Sequence, residues 1–331
     1  MSAQNKPVRA LGLCSGGLDS TLSALVLREQ GIAVHWVAFE TPFFSAANAR
    51  KASQNTGVEL MVREITPIYM QMMRSPAVRF GKHMNPCLDC HSLMFRLAGE
   101  IMTRQGFDFL FSGEVLGQRP MSQTRNSLRY VEKHSGYDGY ILRPLSARKL
   151  PETIPERKGW VDRGRLLDIY GRSRKPQLQL AEQFGLTEFP NPAGGCLLTD
   201  KTFSRRLRDL LDHQVEVSER DLELLKSGRH LRLDPQTRVV VGRTRQDNEQ
   251  ISRFIDPQRD VVLKMGDLPG PLVVMPGGCS ETMLRLAAAI CAGYSKTPTG
   301  MAVAVTVQLN GRQRQVTVNP IPAAENRRFL I

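Results

Sequence analysis

Short apolar runs alternate with amphipathic stretches through the first third of the chain. Residues 10–13, 34–39, 58–62 and 107–111 are apolar runs of strand length, and residues 20–27, 46–56 and 93–105 repeat their apolar positions at helical spacing. This β-α-β rhythm predicts an α/β fold, a doubly wound parallel sheet that receives ligands at the carboxyl ends of its strands. After Cys196 the pattern changes. Residues 203–212 read as a basic amphipathic helix, and residues 218–227 as another, with Ser218 as its cap and Asp221 placed for a capping box. Residues 238–242, 260–263, 272–275 and 301–308 are then β-rich and separated by Pro and Gly turns, with one helix over 280–293. The predicted division is a first domain over 1–215 and a smaller α+β domain over 216–331, without internal repeats.

Composition adds the kind of partner. A chain of 331 residues that is 41% hydrophobic has material for two packed cores. The polar start of the chain and the break at Ser15-Gly16-Gly17 do not read as a secretory signal, and no apolar run approaches the ~18 residues of a membrane span. A cytoplasmic protein without a membrane partner is expected. The net charge of +13 points to a polyanion, because each phosphate neutralised by Lys or Arg releases condensed counterions. Arg143, Arg148, Lys149, Arg157, Lys158, Arg163, Arg165, Arg172, Arg174 and Lys175 concentrate that charge. A nucleic-acid surface is favoured over a merely solvated face. The six cysteines are expected to be reduced thiols, available as ligands or nucleophiles.

Candidate chemistry begins between the first strand and the first helix. In Ser15-Gly16-Gly17-Leu18-Asp19-Ser20 the glycines allow close backbone approach, and backbone N–H groups at a helix start can hold phosphate oxygens. A carboxylate beside an anion site makes sense if Asp19 holds the Mg2+ that accompanies a nucleotide. The string resembles the PP-loop of the ATP-pyrophosphatase family, which cleaves ATP between the α and β phosphates. That resemblance implies an adenine nucleotide α-hydrolase-like fold, ATP as cosubstrate and adenylation chemistry. It also implies that adenine is received at the end of the second strand, near Phe39.

Cys87 and Cys90 form a C-x-x-C within residues 85–91, and Cys196 ends the run Asn191-Pro192-Ala193-Gly194-Gly195-Cys196. Four readings compete for these thiols: a 4Fe–4S cluster on three cysteines, a persulfide relay, a zinc site, or buried cysteines without chemistry. His91 is a possible fourth ligand, although a helix-start residue fits it better. Cys14, Cys279 and Cys291 lie in strand and helix patterns and read as packing residues. The segment from Ser112 through Gly113, Glu114, Gly117, Gln118, Ser122 and Gln123 resembles one found in 4-thiouridine synthases, the tRNA sulfurtransferases of the PP-loop class, as do residues 141–145. Glu114, Gln118 and Ser122 are expected to crowd polar groups where substrate binds. By this resemblance, Ser15, Gly16, Gly17, Asp19, Ser20, Phe39, Gly113 and Gln118 are nucleotide contacts, and Cys196 occupies a sulfur-handling position. No N-terminal RNA-binding region or rhodanese domain is read in the sequence, so sulfur is expected to arrive by another route. The three-cysteine arrangement is similar to cluster-dependent tRNA thiolases, which implies a 4Fe–4S cluster on Cys87, Cys90 and Cys196.

Residues 238–248 resemble the RNA-binding signature of NFACT domains. Thr244 stands where that signature has Asn, and residues 264–267 lack its usual Trp. Arg243, Arg245 and Asn248 are the expected phosphate or base contacts. Together these readings imply an ATP-dependent tRNA uridine thiolase with Asp19, Cys87 and Cys196 in catalysis, and with a cysteine desulfurase or free sulfide supplying sulfur. A nitrogen-transferring PP-loop ligase and a nucleotide-sensing RNA or ribosome-associated factor are the alternatives. The uridine, the oxygen exchanged and the oligomeric state stay open.

Overall fold

The computed structural model describes residues 7–190, 196–266, 268–297 and 300–331, and it divides into two compact units, Met1–Thr199 and Asp200–Ile331. In the first unit the elements run β1 (Arg9–Leu13), α1 (Leu18–Arg28), β2 (Ala33–Glu40), α2 (Ala47–Thr56), β3 (Leu60–Glu64), α3 (Thr66–Arg74), α4 (Cys87–Gln105) and β4 (Phe109–Ser112). There follow α5 (Arg125–Ser135), β5 (Ile141–Leu142), α6 (Ile154–Arg157) and α7 (Lys175–Gln183). The five strands pair in parallel in the order β3-β2-β1-β4-β5. This is the predicted doubly wound sheet. Its order reverses between β1 and β4, and such a reversal opens a crevice at the carboxyl ends of those two strands.

Leu18, Leu22 and Val26 recur along one face of α1, and they bury against Ala10, Trp36 and Ala38 of the strands. Ala181 of α7 joins the same cluster, and α7 packs on α1. On α4 the predicted helix extends back to Cys87, so the C-x-x-C forms its first turn.

The second unit holds α8 (Lys201–His213), α9 (Glu219–Leu224), β6 (Arg229–Arg232), β7 (Arg238–Val241), α10 (Arg245–Ser252), β8 (Val261–Met265), β9 (Val273–Met275), α11 (Glu281–Gly293), β10 (Val303–Leu309) and β11 (Arg312–Val318). Its six strands form an antiparallel sheet in the order β11-β10-β8-β9-β7-β6. Side chains alternate between faces along each strand. Val239, Val241, Leu263 and Val273 therefore bury with α11, while Val240, Val262 and Val274 bury with Leu224 and Ile251 on the other side. The predicted capping box at α9 is present: Asp221 N donates to Ser218 Oγ at 3.2 Å and Ser218 N to Asp221 Oδ2 at 3.1 Å.

The division falls between Thr199 and Asp200, ahead of the predicted break at Val215. Helix α8 belongs with the second unit because Arg206 donates to the carbonyls of Leu225 (2.8 Å) and Gly228 (2.9 Å), and Arg232 binds Asp209. Residues 191–195 and Asp267, both used in the sequence reading, lie outside the described residues.

Candidate active site

The loop after β1 meets the end of β4. Gly16 has φ +72°, and a Cβ on it would collide with the backbone of Asn48. A Cβ on Gly113 would likewise run into the backbone of Asp19 and Ser20, so glycine is what lets the two strand ends touch. Ser20 Oγ donates to Gly17 O at 2.8 Å, and Gly17 N reaches Ser15 Oγ at 3.4 Å. Gly17 starts α1 without a side-chain cap. The first N–H groups of the helix are therefore directed at the crevice, at the positive end of the helix dipole.

Asp19 is held by a chain of amides. Gln118 Nε2 donates to Asp19 Oδ2 at 2.8 Å, and Gln177 Nε2 donates to Gln118 Oε1 at 3.2 Å. An ionised carboxylate only accepts, so it dictates the orientation of both amides in turn. Asp19 Oδ1, Gln177 Oε1 and Arg174 Nε are buried and have no hydrogen-bond partner. Burial raises the Asp19 pKa above the ordinary carboxylate value, opposed by the Gln118 amide, the charge of Arg174, the nearby Gln177 amide and the charge of Arg119. A cluster of buried acceptors and a buried donor left open beside an anion-binding loop is arranged for a ligand with both phosphate and cation character.

Gln177 was not predicted, and Arg174 only as part of a basic run. The signal that marks Gln177 is an inversion of polarity on α7: Gln177 is fully buried while its neighbour Leu178 is 47% exposed.

The three predicted cysteines are brought together by two backbone hydrogen bonds from distant segments. Leu197 N donates to Phe43 O at 3.1 Å, and Met84 N donates to Leu198 O at 3.3 Å, so Cys196 is carried to the start of α4. Cys87 accepts from Asn85 Nδ2 at 3.3 Å. Although part of Cys90 still meets solvent, burial pushes its thiol up to about 12, and proximity to Cys196 and Cys87 adds to the rise. Burial pushes Cys196 up to about 11, again with a contribution from Cys87. The Tyr69 hydroxyl is buried beside Cys90 without a hydrogen-bond partner of good geometry. Among the described residues, no three His, Cys, Asp or Glu side chains close into a metal-holding group. In kind the donors nevertheless fit a thiophilic group: three sulfurs within electrostatic reach of one another, with an orphaned hydroxyl beside them.

The aromatic residues at the end of β2 are partly committed elsewhere. Phe39 is buried in the strand, and the Phe43 and Phe44 rings lie 5.6 and 5.3 Å from that of Tyr69.

Glu114 is a brace. Its carboxylate accepts from Arg143 Nε at 2.9 Å, meets His91 Nδ1 at 2.9 Å and accepts from Ser112 Oγ at 3.2 Å, while Arg143 also binds Glu132. Burial would raise the Glu114 pKa, but the charge of Arg143 and the His91 contact outweigh it and hold the group at about 2. This overturns the expectation of Glu114 as an open polar group in the substrate site and of Arg143 as part of a nucleic-acid surface, since Arg143 is 2% exposed. His91 is directed at Glu114.

In the second unit the expected RNA contacts divide. Arg243, just ahead of α10, pairs with Asp247 at 2.6 Å, and Arg245 pairs with Glu249 at 2.9 Å one turn along the helix. The carboxamide oxygen of Asn248 accepts from Leu272 N at 3.1 Å, so that oxygen ties α10 to the sheet instead of facing a ligand.

Residues 6–154 match the family model described as thiamine biosynthesis protein (ThiI), and residues 228–330 match the NFACT protein RNA binding domain. Among curated proteins, a tRNA sulfurtransferase of Erwinia tasmaniensis is 31% identical over 147 residues, 41% of this chain and 28% of its own length. A probable tRNA sulfurtransferase of Aeropyrum pernix is 27% identical over 187 residues, 55% of this chain and 44% of its own. The tRNA-specific 2-thiouridylase MnmA of Sulfurimonas denitrificans is 33% identical over 112 residues, 31% of this chain and 33% of its own. The chain thus spans less than half the length of these relatives. It is similar to ThiI proteins over residues 6–154 and to the NFACT RNA-binding domain over residues 228–330.

Proposed function

We propose that this chain is an ATP-dependent tRNA uridine thiolase acting in the cytoplasm. The observation that carries the reading is the convergence, on one unit, of an uncapped PP-loop helix with an amide-held Asp19 and of three cysteines gathered from sequence-distant segments. The loop N–H groups and Arg174 bind the phosphates of ATP. Asp19 is the carboxylate that would hold Mg2+, which supplies charge neutralisation of the phosphates. The uridine carbonyl oxygen attacks the α-phosphorus, a P–O bond forms, and pyrophosphate leaves. A sulfur nucleophile then attacks the activated ring carbon, a C–S bond forms, and the C–O bond breaks with AMP as leaving group.

Cys87, Cys90 and Cys196 are the residues that would hold a 4Fe–4S cluster, whose chemistry is to present sulfide. If no cluster is held, a cysteine desulfurase supplies sulfane sulfur as a persulfide on Cys87 or Cys196; its outer sulfur forms the C–S bond, the other cysteine's thiolate breaks the S–S bond to leave a disulfide, and an external thiol reduces that disulfide. The tRNA relatives and the NFACT segment support tRNA as substrate, and a cysteine desulfurase or free sulfide as sulfur source is part of the proposal.

The test is anaerobic incubation with ATP, unmodified tRNA and sulfide, followed by digestion and mass spectrometry of the nucleosides, with pyrophosphate measured in parallel. Thiouridine formed in step with pyrophosphate supports the reading, and pyrophosphate without thiouridine points to a nitrogen-transferring ligase. Neither product, under conditions where iron and sulfide are also quantified for wild type and the three Cys→Ala variants, would overturn it.

A further inference from the structure

The loop that holds Asp19 has a second side. Gln118 reaches Asp19, while Leu116 and Gly117 just before it line a cavity of about 460 Å³ together with Thr124, Arg125, Lys149 and Tyr170. Tyr170 is 66% exposed, an uncommon state for an aromatic ring, yet its backbone is pinned. Leu116 and Tyr170 form a β-bridge, Gly171 N donates to Leu116 O at 2.8 Å, and the ring edge rests over Gly117. The result is a fixed aromatic face open to solvent, at little cost in conformational entropy when something stacks on it.

The charge around it is unbalanced. Arg125 donates to Lys149 O at 3.0 Å, and neither Arg125 nor Lys149 has a carboxylate partner among the described residues. The same holds for Arg119, Arg172, Arg174 and Lys175, of which Arg119 and Arg174 lie in the field of Asp19. Neighbouring cations of the same unit are matched, Arg148 by Asp168 and Arg163 by Glu156. Cations without a carboxylate partner thus stand both beside Asp19 (Arg119, Arg174) and in the lining of the Tyr170 cavity (Arg125, Lys149), and a polyanion with a stackable base is the ligand such a site would recognise.

We infer that the cavity beside Gly117 binds one unpaired nucleotide of the RNA substrate, its base stacked on Tyr170 and its phosphate held by Arg125 and Lys149. This deepens the thiolase reading and rests on it. A nucleotide seated there places its neighbour within one step of Gln118 and Asp19, so the cavity positions the RNA relative to ATP without itself touching the reacting atoms. The shape favours single-stranded RNA, because a base inside a duplex presents no open face.

The experiment is equilibrium binding of an unmodified, fluorescently labelled tRNA transcript to the full chain across a range of salt. Tyr170→Ala is expected to weaken binding by about 5- to 150-fold, the span of one base–aromatic stack. Tyr170→Phe keeps the ring and is expected to stay within about twofold of wild type. The salt slope distinguishes the roles: Tyr170→Ala leaves it unchanged, whereas Arg125→Ala and Lys149→Ala each reduce it by about one. Affinity for a non-hydrolysable ATP analogue, measured on each variant, serves as the folding control. Equal tRNA affinity for Tyr170→Ala and wild type overturns the inference, and so does a loss in Tyr170→Phe as large as in Tyr170→Ala, which would make the hydroxyl and not the ring the contact. Wild-type protein that binds the ATP analogue but no tRNA overturns the thiolase reading and the inference with it, whereas tRNA binding indifferent to Tyr170 overturns the inference alone.

Discussion

Replacing Arg143 with leucine isolates the electrostatic brace behind the PP-loop. Arg143 is 2% exposed, and its guanidinium neutralises a Glu114 carboxylate that burial alone would push toward its neutral form. A carboxylate held at about 2 against its usual 4.5 contributes about 3 kcal/mol of stability at neutral pH. Removing one member of a buried pair also strands the other, and the two arguments agree on a cost of about 3–5 kcal/mol for Arg143→Leu at pH 7. The sign with pH follows from the depressed pKa. Glu114's contribution is complete above 4.5 and is lost as pH falls toward 2, so the penalty of the variant shrinks over that window as Glu114 protonates. Urea unfolding of the full chain at pH 7 and pH 3.5, followed by circular dichroism with the two units' transitions fitted separately, reads this directly. A double variant, Glu114→Leu with Arg143→Leu, is expected to be more stable than Arg143→Leu alone, because it leaves no charge stranded. A penalty below about 1 kcal/mol at pH 7, or one equal at both pH values, would refute the reasoning.

Three further outcomes follow from side chains already placed. Gln177→Met preserves volume but removes the amide that orients Gln118, and is expected to weaken Mg2+-dependent binding of an ATP analogue by about 10-fold or more, with little further loss when Gln118→Met is added; additive losses in titration calorimetry would show that the two amides act separately. Cys90, held near 12 against a usual 9.0, is expected to carry about a thousandfold less thiolate than a free thiol at neutral pH, so in metal-free protein its alkylation by iodoacetamide, followed by mass spectrometry, should lag far behind that of glutathione. Asn248→Ala is expected to cost about 1–3 kcal/mol by leaving Leu272 N–H unpaired, whereas Arg245→Ala stays within about 0.5 kcal/mol. Equal melting temperatures for these two variants would contradict the structural role of Asn248.

What could be read from sequence depended on whether a residue's role is local. The parallel strands were legible because a strand buried on both faces is a run of apolar residues, and the PP-loop because its glycines and serines act within a few positions of one another. β11 was not, since Arg312–Val318 is a mostly exposed edge strand whose alternating Arg and Gln carry no burial signal; its identity comes from pairing with β10. The C-x-x-C announced itself, but Tyr69 beside it is one aromatic among many until the fold brings α3 to the start of α4. Arg143 shows the reverse error. Counted with a basic run, it looked like part of an RNA surface, because charge clustering in sequence cannot tell a cation that meets Glu114 and Glu132 from one that meets solvent.

The same distinction bears on the proposed site. Arg143 has its carboxylate partners and braces the fold, whereas Arg119, Arg174, Arg125 and Lys149, beside Asp19 and Tyr170, have none among the described residues. Leaving charges unmatched raises the energy of the folded chain through self-repulsion, a cost that a polyanionic ligand relieves and a solvated face does not require. Three buried polar atoms around Asp19 are likewise without partners: Asp19 Oδ1, Gln177 Oε1 and Arg174 Nε. An acceptor or donor buried without a partner costs about 1–3 kcal/mol, and three of them at one crevice are tolerated where a bound nucleotide restores their hydrogen bonds. On the proposed function, the polarity inversion on α7, Gln177 inward and Leu178 outward, is the trace in sequence of a helix that serves a ligand as well as its own packing.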